Sequence, residues 1–435
     1  IKPGYGYFCD YVKDEILNNP VFGPDQYSRQ ELLDTGGLTI KTTLDPKSQA
    51  AAQNAVTANS GPSSRYVTME ALVQPGTGKI LGIAQSRPYG LGKKDTTIDY
   101  AADQAHGGGG GVQAGSTFKI FTLAAAIDAG YKVSQSYPTP TETTVDGFRD
   151  CAGDLVGEAG GSWDVHNAES SKGGSEDMVT ATWASTNTYY AQLEKDVGLC
   201  KVAKMAAKFG MTAPNGKPLS QVPAFTLGAN EIDIVHEAAA YAGFAASGKY
   251  CSPIAIDSIA DRNGKALPVP SANCSQVIDP DEANEVTSVL KGVLNDGAGT
   301  AHQYFDGLNG WDAAGKTGTT EGLANAVFAG YTRTLAAVVW EGDPEAPNGD
   351  PVNAYGASLV PTWQQTLENA LAGTDVPDFP SPTGDYGTGG YSSGGNNNNQ
   401  QGQGGQGGGA QPNPAKGGHG GKGGKGGKGG GHGGH

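Results

Sequence analysis

Residues 111–127 read GVQAGSTFKIFTLAAAI, and within them Ser116 and Lys119 stand three positions apart. On a helix, positions i and i+3 lie on one face, so a hydroxyl and an amine there can meet. A serine hydroxyl is a poor nucleophile at neutral pH and needs a base within hydrogen-bond reach. Lysine serves as that base only when neutral, a state that burial or a nearby positive charge promotes. The apolar run IFTLAAAI offers walls for such burial. A serine at a helix start also aims backbone N–H groups at developing negative charge. The plainer reading is a helix cap followed by a solvated lysine.

Two further stretches carry polar residues of the same kind. In TATWASTNTYYAQLEK, Ser185 and Asn187 precede a helix, where they can be an N-cap and a turn asparagine. Alternatively Ser185 relays protons to a leaving amine, while Asn187 donates to a substrate amide and holds the lysine. In WDAAGKTGTTEG, Lys316, Thr317 and Thr319 on a strand can face a cleft and bind a carboxylate through charge-assisted bonds. Gly318, lacking a side chain, lets a substrate backbone run alongside. The bland alternative is an edge strand protected by a lysine. Residues 310–317, GWDAAGKT, match the phosphate-loop pattern letter for letter. The TGTTEG that follows is no helix, so nucleotide binding is set aside.

These residues need elements to hold them. Residues 1–40 suggest a helix and a connector, and GLTIKTTLDPKSQAAAQNAV a strand passing into a helix near Thr43 or Asp45. EALVQPGTGKILGIAQS reads as two strands about a turn, and residues 98–115 as loop. A helix is expected over about 116–130, stopped by Gly130. Residues 131–180 are turn-rich, with a strand or two and a short helix. Helices resume in NTYYAQLEKDVG, LCKVAKMAAKFG, DIVHEAAAYAGFAASG and DEANEVTSVLKGVLND. WDAAGKTGTT, NAVFAGYT and LAAVVWEG are strands, and SLVPTWQQTLENALAG closes the core. Strands, a helical block, then strands again predict a mixed α/β domain whose early and late strands share one sheet.

Composition narrows the class. The net charge is −15, and the Gly-rich stretch from 381 carries +3, leaving −18 on the rest, which argues against a nucleic-acid groove. That stretch has almost nothing to bury and is expected to be a disordered spacer. Its lysines and His419, His432 and His435 alternatively touch anionic wall polymer or hold metal loosely. Of five cysteines, Cys251 and Cys274 flank a hairpin turning at Asn263–Gly264, which would bring them together. Cys151 and Cys200 are the second expected pair, with free thiols as the alternative. Bridges would place the chain in an oxidising, extracytoplasmic compartment. No CxxC spacing suggests a metal cluster. The opening IKPGYGYFCDYV reads as the interior of a longer protein, and Trp183 and His236 as ordinary core or surface residues.

SxxK, SxN and KTG come in this order, separated by about 65 and 130 residues, the triple of the penicillin-binding proteins and class A β-lactamases. With GYFCDYVKDEI and GGLTIKTTLDPKSQ ahead of them, they make residues 5–372 resemble the transpeptidase portion of a class A (bifunctional) penicillin-binding protein of actinobacterial type. The resemblance implies the transpeptidase fold shared with β-lactamases: an antiparallel sheet flanked by helices, with an all-helical subdomain. It divides the chain into a linker region, 1–60, following an absent glycosyltransferase domain, a transpeptidase domain, 61–372, and the tail, 373–435. It implies Ser116 as acylated nucleophile, Lys119 as general base, and Ser185, Asn187 and Lys316 as catalytic partners. Thr317, Gly318 and Thr319 would bind substrate, and the N–H groups of Ser116 and Thr319 would hold the oxyanion. No metal or organic cofactor is implied. The implied partners are peptidoglycan stem peptides as donor and amine acceptor, β-lactam antibiotics, and division or elongation machinery, with the parent protein anchored outside the cell membrane. A D,D-carboxypeptidase, a β-lactamase using Glu158 or Glu169, and a β-lactam sensor without turnover remain alternatives.

Overall fold

The computed structural model describes residues 4–158, 160–168, 173–346, 351–352 and 354–389. Glu169, the tail beyond 389 and its three histidines lie outside the described residues, whereas residues 381–389, expected to be disordered, are held on the domain: Tyr386 OH donates to Asp281 Oδ2 at 2.9 Å and the Tyr386 carbonyl accepts from the Val133 N–H at 2.8 Å. Helix α1 (Gly6–Asn18) opens the chain, and helix α2 (Pro46–Asn59) follows a short strand, Thr39–Thr42. Asp45 caps α2, accepting from the Ser48 N–H at 2.8 Å, with Pro46 in the first turn. A further helix, Gln26–Thr35, stands where the sequence suggested only a connector.

Strands β1 (Val67–Val73), β2 (Ile80–Gln85), β3 (Ala314–Thr319), β4 (Asn325–Tyr331) and β5 (Ala336–Gly342) form one antiparallel sheet in the spatial order β3-β4-β5-β1-β2. Early and late segments meet at its centre, where Val73 lies opposite Ala336 and Val67 opposite Gly342. Every residue of β1 and β4 is buried, the apolar side chains and the polar Thr68, Glu70 and Asn325 alike. Neighbouring residues on β4 point to opposite faces and thereby identify what covers each. Gly330 meets Trp363 of the C-terminal helix α9 (Val360–Leu371), whose indole N–H donates to the Gly330 carbonyl at 3.2 Å. Tyr331, one position on, meets Tyr241 of helix α7 (Ile234–Ala245) edge to face.

The rest of the helical block is α3 (Lys119–Asp128), α4 (Met178–Ala184), α5 (Asn187–Val197), α6 (Leu199–Lys208) and α8 (Pro280–Asn295). Helix α3 is buried from Lys119 through Ile127 and packs against α5, α6 and α8, so its face holds no solvated lysine. Its start differs from expectation. Residues 115–118 form a single 3-10 turn, and the α-helix runs from Lys119 to Asp128, with Gly130 (φ +84°) beyond its end. The presumed loop before it contains a 3-10 turn, Gln104–His106, and a two-residue strand, Val112–Gln113, paired with Glu231–Ile232. Among the described residues, 131–180 hold four short strands rather than one or two.

Both expected disulfides are formed, Cys251–Cys274 and Cys151–Cys200, and Cys9 is free. The hairpin between the first pair turns where expected, with the Asp261 N–H on the Lys265 carbonyl at 2.9 Å. Among the described residues no helix is long and apolar enough to cross a membrane.

Trp363 packs edge to face on Phe328 while bonding the sheet backbone. Trp363→Ala is expected to cost about 3–5 kcal/mol of unfolding free energy in a urea titration.

Candidate active site

The turn carrying Ser116 is seated directly on β3. Gly115 has φ +59°, and a Cβ built there would lie 3.0 Å from the Thr319 nitrogen. Gly318 faces the same turn: its Cβ would sit 2.4 Å from the Ala114 carbonyl oxygen and 3.1 Å from the Thr117 methyl. Both positions exclude a side chain, so two segments some 200 residues apart in sequence approach backbone to backbone. Gly318 therefore makes room for the Ser116 turn. Ser116 itself is half-buried, and its hydroxyl makes no hydrogen bond among the described residues.

Lys119, one helical turn on, is fully buried and directed at the joint between α4 and α5. Its Nζ donates to the Ser185 carbonyl at 2.6 Å and to Asn187 Oδ1 at 2.7 Å, and lies 3.3 Å from Ser185 Oγ. Ser185 is no N-cap. It ends α4 in the left-handed region (φ 58°, ψ 38°), a conformation that costs a non-glycine residue about 1–2 kcal/mol. That bend directs its carbonyl and hydroxyl to the same amine. Asn187 then starts α5 and gives an Nδ2 hydrogen to the His166 carbonyl at 3.0 Å, which fixes its amide.

Lys316 reaches the same hydroxyl from the sheet. Its Nζ donates to Ser185 Oγ at 2.7 Å and to the Thr317 carbonyl at 3.0 Å, again at zero exposure. Strand alternation sends Lys316 and Gly318 to the α7 side, with Tyr331, and Thr317 and Thr319 to the α9 side, with Gly330. The lysine and two threonines expected on one cleft wall are thus divided. Thr317 Oγ1 shares a 2.7 Å hydrogen bond with Thr300 Oγ1, and Thr319 Oγ1 accepts from the Gly356 N–H at 3.1 Å. Thr300 and Gly356 carry no signal in the sequence beyond their polarity and smallness. The phosphate-loop reading of 310–317 fails here, because Lys316 sits mid-strand and only a short turn, Glu321–Leu323, follows.

The electrostatics follow from burial. Desolvation holds the Lys119 amine well below its ordinary value, and the Lys316 charge lowers it further. Burial brings Lys316 down to about 7. Among the described residues neither amine has an ion pair with a carboxylate, and the Tyr190 ring, 5.3 Å from Lys119 Nζ, is a weak cation partner. A neutral amine has two hydrogens and one lone pair. Two of the contacts of Lys119 are carbonyl oxygens, which only accept, so they take both hydrogens. The lone pair is left for a hydroxyl, and the half-exposed Ser116 is one turn away. Ser185 Oγ, accepting from Lys316, keeps its own hydrogen to give. The arrangement can take a proton from one hydroxyl and pass one on through another.

For Lys316 the folded value of about 7 stands against an ordinary 10.5. Between these values the unfolded chain holds a proton that the folded chain does not, so folding is penalised increasingly as pH falls from 10.5 to about 7. Lys316→Met removes that penalty. The variant is expected to melt several degrees above wild type at pH 7, with the gap closing toward pH 10; equal melting at both pH values would contradict this. Gly318→Ala is expected to force the Ser116 turn off β3 and lower the melting temperature by several degrees; an unchanged melting temperature would contradict this.

The family model for the penicillin binding protein transpeptidase domain matches residues 69–346. Penicillin-binding protein 1A of Mycolicibacterium smegmatis is 30% identical over 382 residues, which is 81% of this chain and 44% of that protein. Its namesake in Mycobacterium tuberculosis is 29% identical over 83% of this chain and 43% of the relative. The chain thus spans under half the length of either. Among solved structures, the penicillin-binding protein PonA1 of Mycobacterium tuberculosis superposes with a TM-score of 0.71 at 26% identity, covering 89% of this chain and 97% of that one. The same protein in complex with penicillin V gives 0.69, covering 89% and 98%. With the geometry above, these likenesses show that the chain belongs to the penicillin-binding protein transpeptidase family and is closely related to actinobacterial penicillin-binding protein 1A.

Proposed function

We propose that this domain cross-links peptidoglycan stem peptides through a serine acyl-enzyme. The observation that carries the reading is the single hydrogen-bonded cluster of Lys119, Ser185, Asn187 and Lys316 beside the Ser116 turn. Ser116 Oγ attacks the carbonyl of the penultimate D-alanine, and its proton passes to neutral Lys119 Nζ. The N–H groups of Ser116 and Thr319 take the oxyanion; the close approach of Gly115 to the Thr319 nitrogen supports this pairing. Collapse expels D-alanine, whose amine receives a proton through Ser185 Oγ. An amine of a second stem then attacks the ester, returns its proton along the same path and frees Ser116.

Lys316, when protonated, is the cation for the terminal carboxylate, with Thr317 and Thr319 lining the open edge of β3. Asn187 keeps one amide hydrogen for a substrate carbonyl. A β-lactam presents the same carboxylate and acyl carbon. It acylates Ser116 by ring opening, so its leaving nitrogen stays attached and shields the ester. The complex of the relative PonA1 with penicillin V supports binding of a β-lactam.

In the longer protein we place a glycosyltransferase domain and a single membrane anchor ahead of this chain, on the outer side of the membrane. Division or elongation machinery would be its partners. The two disulfides suit that compartment. The division of the chain into 1–60, 61–372 and 373–435 belongs to the same proposal. Against a β-lactamase, Glu158 is exposed in a short bridge with Ser162.

Intact mass after incubation with benzylpenicillin is expected to show one adduct on Ser116, absent in Ser116→Ala. Lys119→Ala should acylate at least ~100-fold more slowly. Given a D-Ala-D-Ala stem peptide and an amine acceptor, the domain should yield the amide product; release of D-alanine to water alone would make it a carboxypeptidase.

A further inference from the structure

Helix α7 touches the Ser116 turn through two side chains spaced four apart, Glu237 and Tyr241. Tyr241 OH donates to the Thr117 carbonyl at 2.8 Å. Glu237 Oε1 lies within hydrogen-bond distance of Thr117 Oγ1, which is also 2.9 Å from the Ala114 carbonyl. Hydrogen counting decides the direction of these bonds. The Ala114 carbonyl only accepts, and the Thr117 hydroxyl has one hydrogen. Were Glu237 ionised, both neighbours of that hydroxyl would be acceptors competing for one hydrogen. A protonated Glu237 satisfies both contacts: the acid donates to Thr117, and Thr117 donates to Ala114.

The surroundings favour the protonated form. Glu237 has no exposure, Oε2 has no partner among the described residues, and burial, opposed by the Thr117 hydrogen bond and aided slightly by Asp233, pushes the acid up to about 8. The far end of the chain of bonds is the consequential one. The Ala114 carbonyl is the group that abuts Gly318, so its position sets how the 114–117 turn rests on β3.

We propose that Glu237 is a positioning residue for Ser116: as a neutral acid it donates to Thr117 Oγ1, whose own hydrogen holds the Ala114 carbonyl, and this relay fixes the nucleophile turn against the strand carrying Lys316 and Thr319. The proposal rests on Ser116 being the acylated residue. It concerns the direction of a hydrogen bond, so a neutral donor of the same shape should replace the acid.

The test measures the acylation rate constant and the preceding non-covalent affinity for a chromogenic β-lactam separately, at pH 7. Glu237→Gln, whose amide can donate to Thr117, is expected within about threefold of wild type. Glu237→Met, similar in bulk but without a donor, is expected to acylate ~10–100-fold more slowly with unchanged affinity. Thr117→Val should share that loss, and Thr117→Ser should recover most of it. Glu237→Gln as slow as Glu237→Met, or Thr117→Val as fast as wild type, overturns the relay. Should Glu237→Met fail to fold, Thr117→Val and Glu237→Gln decide alone. An adduct absent from Ser116 in the wild-type protein would remove the acylation reading and this proposal with it; an adduct there with equal rates in all variants removes the relay only.

Discussion

Two amines with no exposure and, among the described residues, no carboxylate partner share one hydroxyl, and most of this molecule can be understood as the means of keeping them so. Lysine is strongly hydrated, and stripping its water favours the free base. A carboxylate in contact would reverse that by stabilising the ammonium. Here the partners of Lys119 are a backbone carbonyl and an amide oxygen, dipoles that orient the amine without fixing a charge on it. Lys316 adds a repulsion that outweighs the opposing pull of Glu176. Basicity useful near neutral pH thus arises from what the protein withholds.

Such an arrangement has a structural cost, visible in the backbone. Ser185 is held in a conformation usually left to glycine, because a hydroxyl, a carbonyl and a helix break are all needed within one residue. Glycines at 115 and 318 give up side-chain packing so that the turn and the strand can touch. The strain is carried by the helical block, where α3 is enclosed by three neighbours, and by the sheet, whose strands β1 and β4 are buried along their whole length.

Much of this is legible in the chain itself, and the gaps have physical causes. Ser116, Lys119, Ser185, Asn187 and Lys316 are conspicuous because polar groups in apolar stretches need a reason to be there. The strands NAVFAGYT and LAAVVWEG and the helix after Asp279 follow from their apolar runs and spacing. The helix Gln26–Thr35 escapes notice because QYSRQELLDT buries none of its residues, so no apolar stripe marks it. The separation of Thr317 and Thr319 from Lys316 is written in strand alternation, yet which face meets which layer depends on α7 and α9. Glu237 could have been singled out as the one acid inside EAAAYAGFA, an otherwise apolar stretch. What no local pattern conveys is that its neighbour would be Thr117, 120 residues earlier.

The pairing of β1 with β5 has a temporal consequence for a chain made from its N-terminus. The two strands that meet at the middle of the sheet begin at residues 67 and 336, so the early hairpin stays without a neighbour until nearly all of the domain has emerged. The covalent bridges span only 49 and 23 residues and close within the intervening segment. The helical half can therefore be stapled before the sheet is complete, and the lysine arriving last, at 316, joins Lys119 and Ser185 only when the final strands dock.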